Sequence, residues 1–326
     1  MSPLFVVGFY RSGTSLLHAL LNLHPNIALM YECDVLKLWP AVRAHGIMPD
    51  WTRRLEFWNR ALSRHKLAPD ELTEVQNRCE AALALYHVFA RKKASAIFGE
   101  KSPYYHDHLC ALAADFPDSK IIVLWRSPLD TMRSVRRAGK SERFFAREDW
   151  ANRVALGFKK MAGDCERLRA AGHALHEIHY RALVAEQRAT LEGICRFLEI
   201  PFDERMTNLA RADVSTLPTG EHHDNVRGGR ILAGSKPREE VLSARDRRIV
   251  ENCEHLPGAP WSSPAALPPR LPVRLTIPEH GQALLFTARD AFTRFLYSLC
   301  PIAVLKIWRR SRQRRFEERA GRDEPA

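Results

Sequence analysis

The segment Gly8-Phe-Tyr-Arg-Ser-Gly13-Thr14-Ser15 has the composition of an oxyanion cradle. Glycines let successive backbone N–H groups converge on one anion, and the N-terminus of a following helix adds partial positive charge. Hydroxyls of Ser12, Thr14 and Ser15 can donate as well, and Arg11 carries a full charge inside the loop. A second constellation, Arg126-Ser127-Pro128-Leu129-Asp130 with Ser134 further on, pairs a guanidinium with a helix start. Ser127 suits the N-cap and Pro128 the first helical position. Arginine with a nearby hydroxyl fits phosphate or sulfate, whose oxygens accept forked N–H bonds.

The glycine spacing of the first segment is that of the nucleotide loop G-x-x-x-x-G-K-[ST], with Thr14 where lysine belongs. In nucleotide triphosphatases that lysine reaches the β- and γ-phosphates, while Mg²⁺ needs an Asp ending a second strand. Here the apolar run Lys120–Trp125 ends in Arg126, a cation at the place of the metal ligand. The pattern therefore predicts an anion site that works without metal.

Four apolar stretches read as buried strands: Leu4–Gly8, Ala96–Gly99, Lys120–Trp125 and Ala174–His179. Stretches of helical spacing separate them, beginning with Leu16, Leu17, Leu20 and Leu21. Alternation of this kind predicts an α/β fold of three layers, a mainly parallel central sheet between helices. Ligands in such folds lie at the carboxyl ends of the strands, where both constellations fall. Residues from about 42 to 95, rich in aromatics such as Trp51, Phe57 and Trp58, read as a helical insertion.

The domain so described covers 1–255. Residues 256–278 hold seven prolines and read as a linker or extended strap. A helical, basic extension over 279–326 follows, in which Lys306, Arg309, Arg310, Arg312, Arg314 and Arg315 gather without an acid among them. Its apolar residues, among them Phe295, Leu299 and Trp308, suggest peripheral membrane contact through 284–315. The longest uncharged run there, Phe295–Leu305, is too short to span a bilayer. The 326 residues carry a formal charge of +12, which favours an anionic partner. No nucleic-acid-binding motif accompanies that charge, so nucleic acid is not expected. Seven widely spaced cysteines give no zinc or redox spacing and read as mostly buried thiols. With Leu4-Phe-Val-Val so close to Met1, no leader is expected and a cytoplasmic location follows.

Together the two motifs resemble those of the sulfotransferases that use 3′-phosphoadenosine 5′-phosphosulfate. Phe5–Ser15 is similar to that family's 5′-phosphosulfate loop, and Arg126-Ser-Pro-Leu-Asp130 with Ser134 to its 3′-phosphate motif, in the right order. The likeness covers roughly residues 3–255 and is nearest to the bacterial and Golgi tyrosylprotein branches, which also carry Arg in the loop. It implies transfer of a sulfuryl group to a hydroxyl or amine, with no metal. It further implies that Arg11, Ser12, Gly13, Thr14, Ser15 and Leu16 hold the 5′ end of the donor, and Arg126 and Ser134 its 3′-phosphate. Glu32, following His24-Pro25, resembles the catalytic carboxylate, and Lys101 a lysine beside the transferring group. Tyr180 resembles a tyrosine that contacts the nucleotide. The Arg-Lys-Gly closing loop of the cytosolic branch is missing; the basic stretch Val226–Arg238 is its substitute, with Arg227, Arg230, Lys236 and Arg238 as alternatives for the donor contact. His24, His106 and His108 compete with Glu32 as base.

Two other functions remain open on the sequence: a kinase acting on a small molecule, and a non-catalytic protein that binds anionic surfaces. The acceptor stays open among lipid, glycan, metabolite and protein tyrosine.

Overall fold

The computed structural model describes residues 2–33, 63–67, 78–217, 223–231, 242–254 and 260–261. Five strands form its sheet: β1 (Leu4–Val7), β2 (Ile27–Tyr31), β3 (Ile97–Lys101), β4 (Lys120–Trp125) and β5 (Leu175–His179). Their order is β2-β3-β1-β4-β5, and every neighbouring pair is parallel. Helix α1 (Thr14–Leu21) follows β1, and α2 (Arg78–Lys92) precedes β3. Then come α3 (Leu109–Asp115), α4 (Pro128–Ala138) and α5 (Trp150–Ala170). The remaining helices are α6 (Tyr180–Ala185), α7 (Gln187–Leu198), α8 (Asp224–Arg227) and α9 (Ala244–Glu254).

The expected three-layer fold is the observed one, and strand alternation builds both of its cores. Phe5, Val7, Ile121 and Val123 face one layer with Leu85, Leu112, Phe158 and Val250. Leu4, Val6, Ile122 and Leu124 face the other with Leu17, Leu20, Leu191 and Ile194. Each such side chain withdrawn from water contributes roughly 1.5–3 kcal/mol. The chain leaves β1 toward β2 and β3 on one side, then crosses to β4 on the other. That reversal opens a crevice at the carboxyl end of β1, where such folds bind ligands.

Two strand readings need correction. Ile27-Ala-Leu-Met-Tyr31 is a strand that the four-strand reading omits; with only one β-branched residue it carries weak strand propensity. β3 also runs two residues beyond Gly99, so Glu100 and Lys101 lie within the sheet. The buried Glu100 is tolerated there because the Tyr86 and Tyr105 hydroxyls donate to its Oε2 at 2.6 and 2.9 Å. Of the expected helical insertion, α2 lies within the described residues as a helix, while 34–62 and 68–77 lie outside them. Most of the proline-rich stretch and all of 279–326 also lie outside. Trp261, inside that stretch, is buried against Trp125 and Phe158 and donates to the Cys253 carbonyl at 3.1 Å. The described cysteines are free thiols, and Cys33, Cys165, Cys195 and Cys253 are buried.

Gly99 lets β3 approach β1: a Cβ there would lie 1.8 Å from the Leu4 carbonyl oxygen. Because backbone cannot swing aside as a side chain can, Gly99→Ala should cost on the order of 3 kcal/mol or more. Urea unfolding checks this; an unchanged midpoint would refute the tight β1–β3 approach.

Candidate functional site

Loops leaving β1 and β4 meet the start of α6, directly after β5, through one aromatic ring. Gly13 has φ +100° and caps α1, and a Cβ on it would lie 2.4 Å from Cδ2 of Tyr180. Only glycine therefore fits beneath that ring. The Arg126 guanidinium carbon lies 4.6 Å from the centre of the same ring. Arg126 also donates to the Arg11 carbonyl at 2.9 Å, and Arg11 Nε donates to Ser134 Oγ at 3.3 Å. Arg11, Gly13, Arg126, Ser134 and Tyr180 thus form one constellation from four separate loops and helices. Sequence also located the start of α4, where Ser127 Oγ accepts from the Asp130 N–H at 3.2 Å and Pro128 opens the helix.

Within this constellation two polar atoms, Ser12 Oγ and Arg126 Nε, are buried without a hydrogen-bond partner among the described residues. Helix α1 has no side-chain cap. Burial first, then the like charge of Arg126, lowers the Arg11 guanidinium to about 10 against the opposing pull of Glu142. Burial lowers Arg126 as well. Donors and cations withdrawn from water in this way are suited to an anion that would satisfy them.

The second half of the site is an ion pair. Lys101 Nζ donates to Glu32 Oε1 at 2.6 Å, with Lys101 1% and Glu32 30% exposed at the side chain. Register sets Tyr31 beside Lys101, and the Glu32 N–H donates to the Lys101 carbonyl at 2.9 Å. Burial works against charge on Glu32, but the Lys101 ammonium, helped by Arg64 and the Tyr31 hydroxyl, outweighs it. The carboxyl therefore lies below its ordinary value and is ionised at neutral pH. Both Arg11 (φ +69°) and Glu32 (φ +47°) adopt left-handed backbone conformations that non-glycine residues seldom take. Such outliers cluster where surrounding structure holds a functional group in place.

Tyr31, which the sequence reading missed, joins the two halves. Its ring centre lies 3.9 Å from the Lys101 ammonium, and its hydroxyl lies 2.9 Å from Ser15 Oγ and 3.5 Å from His223 Nε2. His24 and His106, the rival bases, instead bond the carbonyls of Pro201 and Pro103 at 2.9 and 2.7 Å. His108 precedes α3 and packs on Tyr104.

A family model described as the sulfotransferase family matches residues 3–204, which include every element of this site but His223. The chain belongs to the sulfotransferase family. Protein-tyrosine sulfotransferase 1 of Danio rerio is 26% identical over 212 residues, covering 63% of this chain and 55% of that protein. Protein-tyrosine sulfotransferase A of Caenorhabditis elegans is 22% identical over 206 residues, covering 62% of this chain and 51% of that protein. The chain spans about half the length of these curated relatives. Among solved structures, the sulfotransferase domain of the Synechococcus PCC 7002 olefin synthase superposes with a TM-score of 0.54 at 19% identity, covering 77% of this chain and 92% of that one. A sulfotransferase domain from the curacin biosynthetic pathway gives 0.52 at 18%, covering 77% and 96%. At these identities the likeness is one of fold.

The remaining sulfotransferase-type positions lie in the first turn of α1, directly after Gly13, or in and beyond α8. Thr14 is buried, and the Leu16 side chain lies in the core while its N–H bonds the Gly13 carbonyl at 3.0 Å. Arg227 ends α8, which packs against α1, and Arg230 is exposed beyond it. Lys236 and Arg238 lie outside the described residues. Among the described residues no helix is long and apolar enough to cross a membrane.

Two histidines near the site are neutral. Burial, reinforced by Lys101, lowers His18 to about 3, and burial lowers His65 to about 4. The unfolded chain protonates both near 6.5, so it binds more protons than the native state between that pH and about 4. Stability should accordingly fall on acidification through this window, by about 1.4 kcal/mol per pH unit for each histidine. Urea midpoints at pH 7 and pH 5 check the slope, which His18→Gln should flatten; an identical slope in the variant would contradict the assignment.

Proposed function

We propose that this chain transfers a sulfuryl group from 3′-phosphoadenosine 5′-phosphosulfate to a hydroxyl or amine. The observation that carries the reading is the Lys101–Glu32 ion pair, joined through Tyr31 to a glycine loop whose cations Arg11 and Arg126 have, among the described residues, no carboxylate hydrogen-bonded to them. When bound, the nucleotide supplies an electrophilic sulfuryl group, and adenosine 3′,5′-bisphosphate is released. Ser12, Gly13, Thr14, Ser15 and Leu16 hold its 5′ end with Arg11, and Arg126 and Ser134 hold the 3′-phosphate. Tyr180 lies along the nucleotide, and Arg227, Lys236 and Arg238 are the further candidates for contact with it. The buried unpartnered Ser12 Oγ and Arg126 Nε supply donors for such a ligand.

Glu32 accepts the acceptor's hydroxyl proton as its oxygen bonds to sulfur. Arg11 and Lys101 stabilise the charge that grows on the departing 5′-phosphate oxygen as its bond to sulfur breaks. While Lys101 stays on Glu32 the carboxylate is ionised but weakly basic; its basicity rises when the ammonium turns to the transferring group. Positioning and fixed charge are the main contributions to such a transfer, as in phosphoryl transfer. The names of the two matched relatives make tyrosine phenols the first acceptors to test. We assign the donor-binding unit to 1–255, 256–278 to a proline-rich linker and 279–326 to a helical basic extension.

A thermal-shift titration with adenosine 3′,5′-bisphosphate, against ATP with and without Mg²⁺, tests the donor site. The bisphosphate should stabilise without metal, by about 2.7 kcal/mol at one hundred times its Kd. Arg126→Ala should weaken the bisphosphate selectively over adenosine 5′-monophosphate; equal losses would reject the 3′-phosphate role. Stabilisation by Mg-ATP alone would instead establish the kinase reading.

Glu32→Gln should leave bisphosphate binding intact and lower turnover by about 10²–10⁴-fold, the effect of a lost general base. Turnover at the wild-type rate in this variant would remove Glu32 from the chemistry.

A further inference from the structure

Strand β2 is an edge of the sheet, and side chains from residues 63–67 cover the backbone at its end. Tyr31 N–H donates to His65 Nε2 at 2.9 Å, and Arg64 donates to the Tyr31 carbonyl at 3.2 Å. Beside them lies a cavity of about 240 Å³, lined among the described residues by Arg64, Lys66, Lys92 and Lys93 and by a single carboxylate, Asp213. That carboxylate accepts from the Ser215 N–H at 3.0 Å. The wall of the cavity is therefore strongly positive among the described residues.

Two buried polar atoms in its wall, His65 Nδ1 and Thr216 Oγ1, have no hydrogen-bond partner among the described residues. His65 is 5% exposed, and burial keeps its ring neutral. His65 Nε2 lies 2.9 Å from the Tyr31 N–H and a longer 3.4 Å from the Tyr31 carbonyl oxygen; the shorter contact makes Nε2 the acceptor and assigns the one ring proton of neutral His65 to Nδ1. Nδ1 is thus a buried N–H donor in need of an acceptor. Four cations and a committed donor around one cavity call for an oxyanion. The donor loop does not account for them, since no residue of that loop lines the cavity.

We propose that this cavity is a second oxyanion site, which takes a sulfate, phosphate or carboxylate group on the outer edge of the sheet. Its occupant touches the catalytic pair indirectly, because His65 holds the backbone of Tyr31, the residue before Glu32. The oxyanion has two possible sources: a free anion, or an acidic group of the acceptor, the latter resting on the transfer reading above.

The test uses the full chain with its donor site saturated by adenosine 3′,5′-bisphosphate. Sodium sulfate is titrated against sodium chloride at matched ionic strength while the melting temperature is followed. Lys66→Ala/Lys93→Ala is compared with Arg91→Ala/Arg247→Ala, which removes equal charge from exposed helical positions outside the cavity. The sulfate concentration for half-maximal shift should rise roughly tenfold in the first pair, the size of two lost exposed charge contacts, and stay unchanged in the second. An equal response of wild type and both double variants overturns the site. The donor-site residues are the same in wild type and both double variants, so a sulfate response that differs between them reads the cavity whether or not the bisphosphate binds. A second arm measures bisphosphate release with phenols bearing or lacking a distal carboxylate. Preference for the carboxylate, lost in Lys66→Ala/Lys93→Ala, assigns the oxyanion to the acceptor; sulfate binding without that preference assigns it to a free anion.

Discussion

Everything at the carboxyl end of this sheet is arranged around cations withdrawn from water. Moving a charged group out of water costs several kcal/mol even after relaxation, and the usual remedy is a carboxylate. Here Arg126 rests on the Tyr180 ring and an Arg11 carbonyl, and Arg11 on Ser134 and the Phe145 ring. Among the described residues, Lys101 alone of these three cations hydrogen-bonds a carboxylate, and even its ammonium sits over a ring face. Aromatic faces recover up to about 2 kcal/mol each for a desolvated cation without neutralising it. Positive potential is consequently preserved in the crevice, which is the preorganisation that an anionic reactant requires.

Holding charges in that posture strains the backbone. Arg11 and Glu32 sit in left-handed conformations, at a cost of order 1–3 kcal/mol each. The support comes from the two core layers beneath, in which β1, β3 and β4 are buried on both faces. Gly13 and Tyr180 make the same point at a contact: the loop closes against a ring because one residue has no side chain. Site and core are therefore one construction, with packing energy opposing local strain.

This division explains what could be read from the chain. Gly8–Ser15, Arg126 and the Ser127-Pro128 helix start are local patterns, whose chemistry depends on residues close in sequence. Glu32 and Lys101 are each legible only through resemblance, and their ion pair not at all, since 69 residues separate them and a sheet register joins them. Tyr31 left no local signal: its role comes from Ser15, Lys101 and His223, which only the fold assembles. Strand β2 was missed for the related reason that five residues with a single β-branched side chain give little propensity. His65 is the extreme case, since its tautomer is set by a backbone N–H of another element.

Thr14 marks where this loop departs from the nucleotide triphosphatase pattern, and the departure has a chemical consequence. A loop lysine in that pattern serves the phosphates alone, and a metal ion neutralises the rest of the charge. Moving the lysine to the end of β3 places it within hydrogen-bonding reach of a carboxylate on β2's end. One ammonium then does two things under the proposed transfer: it keeps Glu32 ionised at rest, and it meets the transferring group during reaction. Because it cannot fully do both at once, arrival of the anion and strengthening of the base become a single event.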